Sequence, residues 1–193
     1  MSNLLIIGAG GHGKVVAEAA ELSGEWDTIS FLDDRTDVTS VLGFKIVGTL
    51  DEYRNFVTDY SNTIVAFGDN EKRLEWIKKL IHAGFDVPII VHPHASVSKY
   101  SSIQLGTVIL SRAVVNTGTT LGTGCIVNVS ACVDHDCEIG DGVHIGSGAI
   151  VRSMCHIESL AVIGAASYVK SSTYLKERFV LPEGKTVGSN GIL

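Results

Sequence analysis

The chain has little of what marks disordered, disulfide-built, nucleic-acid-binding or membrane proteins. Three prolines in 193 residues and no low-complexity tract leave no disorder expected before the C-terminal tail. The four cysteines, Cys125, Cys132, Cys137 and Cys155, form no C-x-x-C pair. That spacing weakens zinc and disulfide readings alike. Basic charge is in deficit: the formal net charge is −6, which provides no electrostatic footprint for nucleic acid. No Lys/Arg-rich amphipathic segment suggests a membrane surface. No run of about 18 apolar residues is present to span a bilayer. Met1 to Gly8 lack the charged and apolar regions of a secretory signal. A reduced, cytoplasmic setting is therefore expected, with no metal and no permanently bound cofactor. Apolar residues, at 45 %, suffice for a real core. The length allows one large domain or two small ones.

What the chain does have is a repeat. Val97, Ile103, Ile109, Val115, Leu121, Val127, Val133, Ile139, Ile145, Val151, Ile157, Ile163, Val169, Leu175, Leu181 and Val187 recur every six residues without a break. Four positions after each anchor sits a small or β-branched residue, from Ser101 through Cys125, Cys137 and Cys155 to Thr173; the column fails at Phe179 and Lys185. A period of six suits a solenoid whose hexads each make one flat side and a corner. Three sides make a coil of 18 residues, and coils stack at about 4.8 Å through parallel β hydrogen bonds. About five coils are expected. Three of the cysteines fall in the small-residue column and read as packing. Gly122, Gly140, Gly146 and Gly164 follow an anchor directly, with Gly142 and Gly148 two further on. All six are expected at corners that use positive φ.

The first half alternates strand and helix patterns. Leu4–Ile7 reads as a buried strand leading into Gly8-Ala9-Gly10-Gly11-His12-Gly13-Lys14 and an Ala-rich helix to about Leu22. Ile29–Leu32 and Thr63–Phe67 read as further strands, Asn70 as the N-cap of a helix over 71–83, and Val87–Val91 as a closing strand. The alternation implies a small α/β unit with a parallel sheet, over residues 1–92, ahead of the solenoid domain over residues 93–193. Gly8, Gly10 and Gly13 satisfy G-x-G-x-x-G, with acids about 20 residues on. Such a turn lets backbone N–H groups at a helix N-terminus hold an anion. The unit is half the size of a usual NAD domain and the solenoid supplies no hydride-transfer site, so a nucleotide sugar is the favoured ligand. NAD and a ligand-free tight turn stay as alternatives.

Taken together, Gly8-Ala9-Gly10-Gly11-His12-Gly13-Lys14, Asp33-Asp34, Phe67-Gly68-Asp69-Asn70, His92-Pro93 and the stretch from Val133-Asp134-His135-Asp136-Cys137 to His144 resemble one family. It is the bacterial hexapeptide-repeat acetyltransferases of nucleotide-activated amino sugars and sialic acids. The resemblance covers nearly the whole chain. It implies a Rossmann-like domain followed by a left-handed parallel β-helix, homotrimers with shared sites, and acetyl-CoA as co-substrate. It assigns Gly10, Gly11, His12, Gly13, Asp33, Asp34 and Gly68 to the UDP-sugar site. It makes His135 the general base and Asp136 the acid that raises its basicity, and it puts His144 and Ala165 at acetyl-CoA. The resemblance departs at the C-terminus, where Leu181-Pro182-Glu183-Gly184-Lys185-Thr186-Val187-Gly188 runs on to Leu193 without the family's Pro-Ala-Lys segment. That departure leaves another acyl-CoA open.

The chemistry agrees with those roles. A thioester is already activated, while a sugar amine is largely protonated at neutral pH, so a base of pKa near 7 is useful. A carboxylate on the far ring nitrogen fixes the tautomer and stabilises imidazolium. Adjacent residues on a straight strand do not bond one another's side chains, so His135 and Asp136 require a bend; Asp134 is the other candidate partner. His92 reads as a boundary element and His12 as a possible helix cap. Asn116 and Asn128, both one position after an anchor, read as a polar ladder at one corner or as the lining of a CoA groove. The leading function is N-acetylation of a nucleotide-linked 4-amino sugar in glycan synthesis. The alternatives are a sialic-acid-type O-acetyltransferase, a non-catalytic nucleotide-sugar-binding scaffold, and an NAD-dependent oxidoreductase.

Overall fold

The computed structural model describes residues 2–35, 37–188 and 191–192. In the first half, β1 (Asn3–Ile7), β2 (Thr28–Leu32), β3 (Ser40–Val41), β4 (Phe44–Gly48) and β5 (Asn62–Val65) form a sheet in the order β3-β4-β2-β1-β5. β1 pairs in parallel with β2 and β5. Leu4 and Ile6 point to one face, into a core with Val16, Ala17 and Ala20 of helix α1 (Gly11–Ser23). Leu5 and Ile7 point to the other, against Trp76, Ile77 and Leu80 of helix α2 (Asn70–His82). A strand covered on both faces needs apolar residues at every position, which is why Leu4–Ile7 shows no alternation.

Three local expectations change. The N-cap of α2 is Asp69, whose carboxylate accepts from Lys72 N–H; Asn70 is already helical. Val87–Val91 is not a strand of this sheet. Pro88 has no N–H to offer a ladder, and only Ile90–Val91 is extended, pairing with Val108–Ile109 in the solenoid. The β3–β4 hairpin was not foreseen. It turns at Leu42-Gly43, both at positive φ (53° and 85°), and Leu is a rare occupant of that region.

The second half is a left-handed parallel β-helix with three faces. Face one runs from Ile90–Val91 to Val180–Leu181, face two from Ser96–Val97 to Thr186–Gly188, and face three from Ser102–Ile103 to Tyr174–Leu175. Rungs pair 18 residues apart, as Val115 with Val133 and Ile139 with Ile157. The anchors from Ile109 to Val187 and the small column, Cys125, Cys137 and Cys155 included, fill one axial core. Val187 keeps phase, so the atypical C-terminal segment stacks up to Gly188 and turns back at Gly191–Ile192. Ser189, Asn190 and Leu193 of that segment lie outside the described residues.

The corner glycines divide into two kinds, which corrects the single expectation for them. Each corner from Gly106 to Gly184 puts the residue three after its anchor at positive φ, and Arg112, Ser130, Asp136, Met154, Leu160, Ala166, Ser172 and Arg178 hold it as readily as glycine. Gly142 and Gly148 belong to this set. Gly122, Gly140, Gly146 and Gly164 do not. They are needed because a Cβ would press on the backbone of the next coil, at 2.7 Å from Ala165 N in the case of Gly146.

The two halves meet along one edge. Helix α2 lies on the corner between faces three and one. A Cβ at Gly106, Gly124 or Gly142 would lie 2.7–2.8 Å from the Ile77 or Leu74 side chain. Seven residues of helix rise about 10.5 Å, close to two coil spacings of about 4.8 Å. Asn70 therefore meets Leu160 two coils from where Ile77 meets Gly124. Beyond the helix the corner no longer needs glycine, and Arg178 there pairs with Glu71.

Candidate functional site

The loop after β1 and the start of α1 open on a cavity of about 380 Å³. Its lining includes Gly8, Gly10, Gly11, His12, Asp33, Phe67, Gly68 and Lys72. Of the proposed sugar-site residues, Gly10, Gly11, His12, Asp33 and Gly68 come together here. A Cβ on Gly10, Gly11 or Gly68 would meet open space, so these glycines leave room for a ligand. Gly13 stands behind the lining, where a Cβ would collide with the Gly8 carbonyl; it brings α1 against β1. Asp34 accepts from Leu50 N–H at 2.9 Å and holds the short 3-10 helix Leu50–Phe56. Asp33 takes the Ala9 N–H (2.7 Å) and Arg35 Nε (2.7 Å), while Arg35 Nη2 donates to Ala9 O. Partial burial pushes the Asp33 pKa up, but the bonds from Arg35 and Ala9 outweigh it and hold the carboxyl below its usual range. The N-cap of α1 is Gly10, with no side-chain cap, so His12 does not cap its helix. The first-turn N–H groups have no helical acceptor and form an anion-binding end.

His12 is half-buried, its Nε2 has no partner, and burial lowers its pKa to about 4, helped by the nearby charges of Arg73 and His144. His144, on face one, is likewise lowered to about 4, by burial and then by Arg73. Both imidazoles are neutral at pH 7. His144 Nε2 lies 3.2 Å from Asn128 Nδ2, whose own Oδ1 accepts from Val129 N–H. An amide nitrogen only donates, so His144 carries its proton on Nδ1. Asn128, His144, Ser147, Gly164 and Ala165 line a second cavity, of about 250 Å³. The two residues assigned to acetyl-CoA thus share one groove. Arg73, which no spacing rule singled out, is fully buried between the two cavities.

His135 and Asp136 occupy the corner between faces two and three. Asp136 is at φ +57°, and this left-handed bend turns the carboxylate back so that Oδ2 sits 2.8 Å from His135 Nδ1. A carboxylate accepts, so Nδ1 carries the proton and Nε2 presents its lone pair outward. The imidazole is 43 % exposed, open enough to meet a substrate. Asp134 does not bond the ring. It takes the His135 backbone N–H (2.8 Å) and the Asn116 amide (3.2 Å), which hold its carboxyl below its usual range. Asn116 and Asn128 do not stack on one another, because a corner repeats every 18 residues and they are 12 apart. His92 is buried and accepts from His94 N–H, a role within the chain.

A second imidazole–carboxylate pair, His156 Nδ1 with Glu138 Oε2 at 2.9 Å, lies on face three. It borders a third cavity, larger than the other two at about 710 Å³. Its ring is stacked flat on Tyr174, so one face is covered. Size alone does not make that groove the reactive one: it adjoins neither the glycine-rich cavity nor Ala165. Among the described residues no group of three or more His, Cys, Asp or Glu is set to hold a metal, and no helix is long and apolar enough to cross a membrane.

Comparison with known proteins matches residues 3–80 to the PglD N-terminal domain and residues 85–191 to the GMPPB C-terminal domain. The UDP-N-acetylbacillosamine N-acetyltransferase of Bacillus subtilis (strain 168) is 31 % identical over 114 residues, 58 % of this chain and 52 % of that relative. The match therefore spans about half the length of that curated relative. The acetyltransferase domain of PglB from Neisseria gonorrhoeae FA1090, solved in complex with acetyl coenzyme A, is 36 % identical, with a TM-score of 0.88 over 99 % of this chain and 98 % of that one. PerB from Caulobacter crescentus, in complex with CoA and GDP-perosamine, is 27 % identical, with a TM-score of 0.70 over 100 % and 97 %.

Proposed function

This chain belongs to the family of nucleotide-sugar acetyltransferases that includes the PglB acetyltransferase domain, and from that premise we propose that it acetylates the amino group of a nucleotide-linked 4-amino sugar, using acetyl-CoA. UDP is the nucleotide we favour, as in the name of the Bacillus relative. The observation that carries the reading is the His135–Asp136 pair at its left-handed corner. In the proposed reaction His135 Nε2 takes a proton from the attacking amine. The amine nitrogen bonds to the thioester carbonyl carbon, and the oxyanion collapses to expel the CoA thiolate. That thiolate takes the proton back from the imidazolium. Asp136 fixes the tautomer of the neutral ring and stabilises the imidazolium once it forms. Neutral His144 and Ala165 are proposed to receive the acyl donor, and the glycine-rich cavity of residues 1–92 the nucleotide.

One chain does not unite these parts. His135 is on the corner between faces two and three, whereas the cavity and His144 lie toward face one. A homotrimer resolves this. The outward column of face two is Val114, Cys132, Ile150 and Tyr168, against Thr120, Glu138 and His156 on face three. An apolar column beside the polar one of face three suits packing about a threefold axis. The edge bearing His135 would then meet the neighbour's edge bearing Asn128 and Ala165. A cytoplasmic location and a place in glycan synthesis follow from substrates of this kind.

Mass spectrometry of incubations with acetyl-CoA and a panel of UDP- and GDP-linked 4-amino sugars tests the proposal. A product heavier by one acetyl group is expected. Tight nucleotide-sugar binding with no product across the panel would replace it with the scaffold reading.

A further inference from the structure

Among the described residues Arg73 is the largest fully buried side chain, and none of its hydrogen bonds there goes to a carboxylate. Nε donates to Gly124 O (2.7 Å) and Nη2 to Gly142 O (3.0 Å), on two successive coils. Nη1 donates to Phe67 O (2.9 Å) and Gly68 O (3.3 Å), in the loop that lines the glycine-rich cavity. Nη2 also reaches Asn70 Oδ1 (2.9 Å), and Asn70 Nδ2 extends the chain of bonds to Leu160 O and Ala161 O on a third coil. Burial lowers the Arg73 pKa only to about 10, so the guanidinium stays charged at neutral pH and carbonyl dipoles balance it.

Apolar packing of Leu74 and Ile77 on the glycine corners already docks α2. Such packing is non-directional and tolerates small sliding along the edge. A planar fork with fixed donors does not. One end of this fork is the Phe67–Gly68 wall of the proposed nucleotide cavity. The other is Gly142, two residues before His144.

We infer that Arg73, with Asn70, is a positioning residue that fixes the separation between the nucleotide-sugar cavity and the acyl-donor groove. The inference rests on the proposed acetyl transfer for its kinetic consequence. Each substrate contacts its own half of the protein, so loosening the joint should spare each binding step and slow the step that needs both. A displacement of about 1 Å between reacting groups costs on the order of 100-fold in rate.

The test compares the wild-type protein with Arg73→Met, Arg73→Lys and Asn70→Ala, at a temperature well below every melting point. For Arg73→Met, kcat should fall about 100-fold, with calorimetric affinities for UDP and CoA within about 3-fold. Arg73→Lys, which keeps the charge but not the fork, should recover only part of the rate. A lower melting temperature with kcat within about 3-fold would overturn the inference, because that is what a purely structural residue gives. If Arg73→Met does not fold, Asn70→Ala decides: it loses the third coil and one acceptor of Nη2 but keeps the other bonds of the fork, and kcat should still fall about 10-fold. Absence of product from the wild-type protein would sink the functional reading instead. Amide exchange over residues 67–74 then decides the positioning role, faster in Asn70→Ala if the joint has loosened and unchanged if it has not.

Discussion

His12 and His144 make the stability of the protein depend on pH in a calculable way. Both are lowered from 6.5 to about 4 in the folded chain. Above pH 6.5 both are neutral whether folded or unfolded, and neither contributes to pH dependence. Between 6.5 and 4 the unfolded chain binds protons that the folded chain refuses, so stability is lost as pH falls through this window, and no more is lost below it. From pH 7 to pH 5 each histidine costs the folded state at most about 1.8 kcal/mol. Both line cavities that admit water, so about 1 kcal/mol each is the working figure. The assay is urea denaturation at pH 7 and pH 5, at one protein concentration, for wild type, His12→Asn and His144→Asn. Carboxylates and the other histidines cancel in the difference. Each variant should lose about 1 kcal/mol less than wild type over that interval. Equal losses in all three proteins, within about 0.3 kcal/mol, would show that these imidazoles are not held neutral.

Other substitutions probe the corners and the two imidazole–carboxylate pairs. Gly118 sits one coil from Asp136 at φ +71°, and a Cβ there would collide with the Asp136 carboxylate. Gly118→Ala should displace that carboxylate from His135 and lower kcat about 10-fold, with a stability loss of about 1–2 kcal/mol; an unchanged kcat would detach Asp136 from the mechanism. In Gly146→Ala the new Cβ would lie 2.7 Å from both Ala165 N and Ile163 O, which are backbone atoms that no rotamer can move. A drop of about 1–3 kcal/mol in urea denaturation and weaker CoA binding are expected. His135→Ala should cut turnover at least about 100-fold while His156→Ala leaves it within about 2-fold. The reverse result would move the chemistry to face three.

The fold was legible where one physical constraint repeats. Every anchor must fill the same axial space, so the class Val, Ile or Leu recurs and Val187 could be counted inside the solenoid. The left-handed corner residue carries no such signal, because Arg112, Met154 and Leu160 adopt it as well as glycine does. The bend that pairs His135 with Asp136 was therefore required by chemistry before it was visible in composition. The pairing of Asn116 with Asp134, and not with Asn128, needed the coil length of 18 to be applied to side chains as well as anchors. Arg73 was hidden for a different reason. A basic residue on an amphipathic helix reads as solvated, and only the approach of a second domain turns that face inward. Asn70 was displaced from its capping role by the same contact, since Asp69 caps the helix and frees the Asn70 amide for the solenoid.

The central claim is that the base of one chain serves the cavity of another, and subunit mixing tests it most directly. His135→Ala lacks the base but keeps the cavity. Gly68→Trp fills the cavity, where a side chain meets open space, but keeps the base. Each protein alone should be nearly inactive. In trimers co-assembled from equal amounts, a site with an intact cavity on one chain and an intact base on the next arises about one time in four. Recovery of about a quarter of wild-type activity is therefore predicted. No recovery from demonstrably mixed trimers would place the whole reaction within a single chain and contradict the account.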